Sequence, residues 1–208
     1  MSKILCIFPA ERNTEFLRPF YKELLNKNDM YGLECSSTED DYYEILEREA
    51  DEAEMVIFLG HGSSHTLYGD NNNTLFDAKY IKPLYNKKLL LFACKSAEFA
   101  KNNKLTNSIG FGFIPSSEED FQNGKLHNLK IDKLDTLDVD ILRASISDIL
   151  VKTLRECDIL NLNDFQRCFS FQCNCEIVKY LTKRKYEVKN YRLLADVIYY
   201  IENDMELK

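Results

Sequence analysis

At 208 residues the chain is long enough to bury one full hydrophobic core and short for two. Its formal net charge of -7 argues against a nucleic acid or an anionic membrane surface as the main partner, because either needs a concentrated basic face. The one basic cluster, Lys183, Arg184 and Lys185, is too short to reverse that balance.

The chain enters an apolar run almost at once, at residues 3–8, too short for a signal peptide and bounded by Pro9, Ala10 and Glu11. This run reads as the first strand. A helix is expected over about 14–26, with Phe16, Leu17, Phe20, Leu24 and Leu25 on one face, and Pro19 conflicts with its interior. A short strand at 33–36 then leads to a helix capped by Ser37 or Thr38 and running to Ala50. Residues 54–59 form the next strand, which carries no polar interruption from Met55 to Leu59 and should be central. After a polar loop, a short helix is expected at 77–85 and a second uninterrupted strand at 88–93. A helix starts near Cys94 or Ser96, and a further strand spans 108–114 and stops at Pro115.

Beyond Pro115 the pattern changes. Residues 116–134 read as a polar excursion or flap, with a hairpin turn around Asn123 and Gly124. A long amphipathic helix over 137–156 is followed by helices near 164–169, 174–183 and 191–203. Strands alternating with helices predict an α/β fold with a mainly parallel central sheet flanked by helices. The whole of 1–208 reads as one domain: a sheet core over 1–115 and a flap with a mainly helical part over 116–208. Nothing approaches a membrane span. Seven cysteines at irregular positions read as free thiols in a reducing compartment, so a cytoplasmic location is expected.

In an open parallel sheet, functional groups collect beyond the carboxyl ends of the strands. Strand 54–59 empties into Gly60, His61, Gly62, and strand 88–93 empties into Cys94, Lys95, Ser96. If these strands are neighbours, His61 and Cys94 meet at one rim, as a thiol nucleophile and its base require. A cysteine at a helix start also gains thiolate character from the helix dipole. Gly62 presents a backbone N–H to a developing oxyanion with no side chain in the way, and the Cys94 N–H is the second donor. Taken singly, His61 fits a turn and Cys94 a small core hydrophobe. Their joint placement at successive strand ends favours chemistry.

The segments Phe58 to Gly62 and Leu90 to Ser96 resemble the His-Gly and Ala-Cys signatures of caspase-like cysteine peptidases, closest to the bacterial CHAT group. Ile109 to Pro115 is similar to the strand after the cysteine in that group. The resemblance covers about residues 3–115. It implies a caspase-haemoglobinase-like three-layer fold, a Cys-His dyad without an essential third carboxylate, no metal, no cofactor, and endopeptidase activity on a protein substrate. Bacterial relatives that act only when triggered imply a latent enzyme with a regulatory protein partner in a regulatory or defence system. The resemblance also implies that the neighbourhood of Glu118, Glu119 and Asp120 helps to build a substrate pocket, which its charge would suit to Arg or Lys. An exposed acidic loop is the plainer account of those three residues.

His65 shares a loop with His61 but lacks its flanking glycines, and His127 has no partner in sequence. The loop 63–73 has neither the Walker lysine nor dinucleotide glycine spacing, so it reads as the rim of a substrate cleft, with Asp70 a weak contributor. Cys168, Cys173 and Cys175 fit no zinc spacing. The alternative from another class is a catalytically silent caspase-like interaction module. It would dock a partner through the exposed end of helix 137–156 and Tyr191, Tyr199 and Tyr200.

Overall fold

Three of the apolar runs lie side by side as central strands: β1 (Ile4–Pro9), β3 (Met55–Leu59) and β7 (Lys88–Phe92). The computed structural model of the chain describes residues 3–9, 11–27, 30–35, 42–70, 73–123, 126–127 and 129–208. With β2 (Met30–Cys35), β8 (Ser108–Gly110) and β9 (Glu206–Leu207), the strands form a sheet in the order β2-β1-β3-β7-β8-β9. The first five are mutually parallel and β9 closes the edge antiparallel to β8.

Side chains alternate across a strand, so continuous apolar runs must be covered on both faces. Cys6, Phe8, Ile57, Leu59, Leu90 and Phe92 face α1 (Arg18–Leu25), α5 (Thr136–Glu156), α6 (Leu162–Thr182) and α7 (Tyr191–Asn203). Leu5, Ile7, Val56, Phe58, Leu89 and Leu91 face α2 (Tyr42–Glu52) and α3 (Ser96–Asn102). The fold is therefore α/β, with a mostly parallel six-stranded sheet between helices and a helical C-terminal part. Among the described residues no helix is long and apolar enough to cross a membrane.

Several boundaries differ from the sequence expectation, each for a local reason. Residues Glu15–Leu17 form a 3-10 turn, and α1 begins at Arg18, so Pro19 falls in a first turn where its missing N–H goes unneeded. The expected helix at 77–85 is absent apart from a 3-10 turn at Lys82–Leu84. The Asp77 carboxylate accepts the Lys79 and Tyr80 amides in a tight turn, at 2.8 and 3.0 Å. The expected strand 108–114 stops at Gly110, because the Phe111 and Gly112 carbonyls accept from Ala97 and Lys95 at the start of α3 instead. The expected Ser37 or Thr38 cap lies outside the described residues.

The helices expected at 164–169 and 174–183 are one, α6. Its buried face passes through polar residues that find partners: Gln172 donates to Glu156 at 2.7 Å, and Glu176 accepts from Ser145 and pairs with Arg184. That is why the hydrophobic period seemed to lapse. Helix α5 begins at a capping box in which Asp135 and Asp138 take each other's backbone N–H.

Residues 116–134 contain α4 (Glu118–Asn123) and a 3-10 turn at Ile131–Lys133. Instead of a polar flap they are anchored by Phe121, Leu126 and Ile131, each only 1% exposed. Each anchor contributes about 2 kcal/mol of burial. Asn123 ends α4, and Gly124 of the expected hairpin turn lies outside the described residues.

Candidate active site

Because β1, β3 and β7 are adjacent and parallel, their carboxyl ends open onto one rim. The Gly60 N–H still reaches the Phe92 carbonyl at 3.1 Å, and the chain then leaves the sheet. His61 and Gly62 form β4, the first strand of a small antiparallel sheet with β5 (Leu67–Tyr68) and β6 (Thr74–Phe76). The sequence predicts only a polar loop here, at the rim of a cleft. Pairing of His61 with Tyr68 fixes the backbone that carries the ring.

His61 and Cys94 line the same narrow cleft, with Asn13, Thr14, Phe16, Leu17, Gly60, Phe92, Ala93, Ile114 and Ser116. The cleft leaves about 10 Å³ for the centre of a water-sized molecule, room for about one water.

The turn after β7 is held tightly. Lys95 takes the left-handed conformation at φ 55°, costly for a residue with a Cβ by about 1 kcal/mol or more. Its N–H bonds the Gly112 carbonyl at 2.6 Å. Fully buried Ser96 ties the turn to both flanking segments, donating to the Leu91 carbonyl at 2.5 Å and accepting from the Phe111 N–H at 2.8 Å. The helix begins at Ser96, two residues after Cys94.

The Cys94 thiol, half-buried, points at the segment after β8. It donates to the Ile114 carbonyl at 3.0 Å, and the Ile114 N–H approaches its sulfur at 3.3 Å. Burial pushes this thiol up to about 12; the Ile114 contact and the Lys95 charge only partly offset that, and the nearby Asp120 charge adds to it. The expected gain of thiolate character from α3 is therefore outweighed by desolvation in this conformation.

Gly62 lies against this turn so closely that a Cβ there would meet the Cys94 carbonyl oxygen at 2.8 Å. The Ser63 N–H bonds the Thr66 carbonyl. By antiparallel alternation Gly62 therefore faces Leu67 in a non-hydrogen-bonded pair, with its N–H directed away from β5. Among the described residues the Cys94 N–H also has no backbone acceptor. Cys94 lines the cleft, whereas Gly62 packs against the turn beside it and is not among the cleft-lining residues.

Other expected residues fall elsewhere. Asp70 lies beyond β5, where its carbonyl accepts the Asn73 N–H, and does not line the cleft. Asp120 takes the Ser116 N–H at 2.8 Å and hydroxyl at 3.2 Å, so its carboxylate holds the cleft wall. Glu119 lines a separate groove that also contains Arg12, Asp140 and Arg143, a mixed-charge surface rather than an acidic pocket. Glu118 begins α4, and its side chain lies outside the described residues. His65 is exposed and hydrogen-bonds Ser64. His127, without a partner in sequence, meets Asp204 at 2.6 Å and stacks on Tyr200 with ring centroids 4.2 Å apart. Cys168 and Cys173 are buried in α6, and Cys175 is exposed.

Sequence reasoning missed one residue at the rim. The turn after β1 brings the Glu11 carboxylate to 3.6 Å from His61 Nε2. Nothing in the spacing from Glu11 to His61 could have revealed this, since it depends on β1 pairing with β3. No family model, curated protein or solved structure matches this chain.

Proposed function

We propose that the chain is a caspase-like cysteine endopeptidase held in a latent state, with Cys94 as nucleophile and His61 as its base. The observation that carries the reading is the convergence of His61 and Cys94 on one cleft at the carboxyl ends of adjacent parallel strands. In the reaction, the Cys94 proton passes to His61 and the sulfur attacks the scissile carbonyl carbon. The N–H groups of Gly62 and Cys94 take the oxyanion. The imidazolium returns its proton to the leaving amine, and water then hydrolyses the thioester.

Latency has a local basis. The thiol is turned toward Ile114 and stays protonated at neutral pH, and the cleft is too narrow for a peptide. Attack requires rotation of Cys94 away from Ile114 and displacement of the wall that Ile114 and Ser116 form. A protein partner acting on 116–134 would supply that displacement.

The raised thiol also favours a second reading, a silent interaction module, since such a module needs no thiolate. Its exposed apolar side chains include Leu137 on α5, Phe171 and Val178 on α6, and Tyr199 on α7. The two readings separate on labelling of the native protein by a panel of peptidyl electrophiles, alone and with candidate partners, read by intact mass. Single labelling lost in Cys94→Ala and slowed in His61→Ala supports the peptidase. Labelling of Cys94 indistinguishable from that of other cysteines under every condition supports the module.

A further inference from the structure

We infer that Glu11 is a positioning residue for His61: its carboxylate receives the Nε2–H, fixes the ring with Nδ1 unprotonated toward the reaction, and balances the charge of the imidazolium. This rests on the Cys-His reading above.

The geometry comes from three neighbouring strand ends. Glu11 follows β1, His61 follows β3 and Cys94 follows β7, and β3 lies between the other two. Glu11 Oε2 stands 3.6 Å from His61 Nε2, with both side chains only about a quarter exposed, at 22% and 25%. That separation is longer than a hydrogen bond and within ion-pair range, so a small ring movement closes it once the ring gains charge.

The other carboxylate oxygen makes the case stronger. Glu11 Oε1 is buried and has no hydrogen-bond partner among the described residues. A buried carboxylate oxygen without a donor is costly, and such groups in folded proteins call for an explanation. A carboxylate whose purpose is to meet a transient cation explains it. Its charge is not committed to a lysine or arginine among the described residues, and the one cationic group its ion-pair distance reaches is the His61 ring.

The turn that carries Glu11 is rigid. The Glu11 N–H bonds both the Pro9 carbonyl and Thr14 Oγ1, each at 3.0 Å, and the Glu11 carbonyl accepts the Thr14 N–H at 3.0 Å. Thr14 is only 2% exposed, and its hydroxyl donates to the Pro9 carbonyl at 2.6 Å. A carboxylate on so fixed a turn can select a tautomer rather than follow the ring. In the reaction the proton leaves Cys94 Sγ for His61 Nδ1 while the Nε2 proton stays on the ring, so no proton passes to Glu11.

The test combines a readout of the ring with one of the thiol, on the intact chain. Long-range 1H–15N NMR near pH 9, above the ordinary histidine range, gives the His61 tautomer, with His61→Ala providing the assignment. The wild type and Glu11→Gln should show the Nε2–H form, and Glu11→Ala a mixture of both forms. An unchanged tautomer in Glu11→Ala overturns the proposal.

In whichever condition, alone or with a partner, labels the wild type fastest, Cys94 labelling by the best peptidyl electrophile should slow about 10- to 100-fold in Glu11→Gln, the size of effect known for loss of the carboxylate partner of a metal-bound histidine. Glu11→Asp should restore part of the rate, and thermal stability should stay within a few degrees of wild type. If His61→Ala slows labelling but Glu11→Gln does not, the dyad stands and the role of Glu11 fails. If His61→Ala has no effect, the Cys-His reading fails and the proposal falls with it.

Discussion

A thiol pushed up to about 12 should resist a thiol reagent in the folded protein, and the size of the effect can be worked out. At pH 7 such a group is thiolate in about 1 part in 10⁵, against about 3 parts in 100 for an ordinary cysteine near 8.5. The ratio is about 3,000. A more basic thiolate is intrinsically the better nucleophile, and a Brønsted slope of about 0.4–0.5 over this gap returns roughly 40-fold. The net expectation is that Cys94 reacts roughly 100-fold more slowly folded than unfolded, before the narrow cleft is considered. The assay is a time course with a small uncharged aromatic disulfide in buffer and in concentrated urea, with the Cys94 peptide quantified by mass spectrometry. Between pH 7 and pH 10 the folded rate should rise about tenfold per unit, while the unfolded rate levels off near the ordinary thiol range. A folded rate that levels off below pH 9, or one within a few-fold of the unfolded rate, would refute the reasoning and mean that the thiol is already activated at rest.

Other expectations concern stability. A Cβ at Gly110 would stand 2.5 Å from the Ala97 nitrogen and 2.6 Å from its Cα, both backbone atoms of α3, so Gly110→Ala should cost about 3 kcal/mol or more in urea denaturation. Burial raises the thiols of Cys94, Cys157 and Cys173 above their unfolded values, which favours folding while they are protonated. That contribution is complete below about pH 9 and is lost as pH rises toward about 12, by up to about 1.4 kcal/mol per unit for each thiol. Urea midpoints should therefore hold up to about pH 8.5 and fall from about pH 9 to pH 11, less steeply in Cys157→Ala. Glu176 is 4% exposed and paired with Arg184 and Lys179, so Arg184→Leu should cost about 3 kcal/mol. Adding Glu176→Leu should recover part of that loss, and a double variant less stable than the single one would contradict the account.

Much of the sheet could be read in one dimension because its cause is local. Met55 to Leu59 and Leu89 to Phe92 have no polar member, and only a strand covered on both faces suits such runs. His61 and Cys94 were legible for the same reason, since a glycine-flanked histidine and a cysteine each follow such a run directly. Polar residues that find buried partners hid the rest. Gln172 and Glu176 interrupt the apolar period of α6, and only their bonds to Glu156, Ser145 and Arg184 show why the helix continues. The apolar anchors of 116–134 are too widely spaced to signal burial.

By itself the sequence determined the alternation of strands and helices, the central place of β3 and β7, and the two residue types at their ends, because periodicity and strand-end position are properties of neighbours in the chain. Tertiary structure decided what those residues face. Pairing of β1 with β3 brought Glu11 to His61 across 50 positions of sequence. The early end of β8 folded residues 111–114 over α3 and set Ile114 against the Cys94 sulfur. Burial there raised the thiol that a helix start alone would have lowered, since desolvation depends on everything packed around an atom and a helix dipole only on the turn beside it.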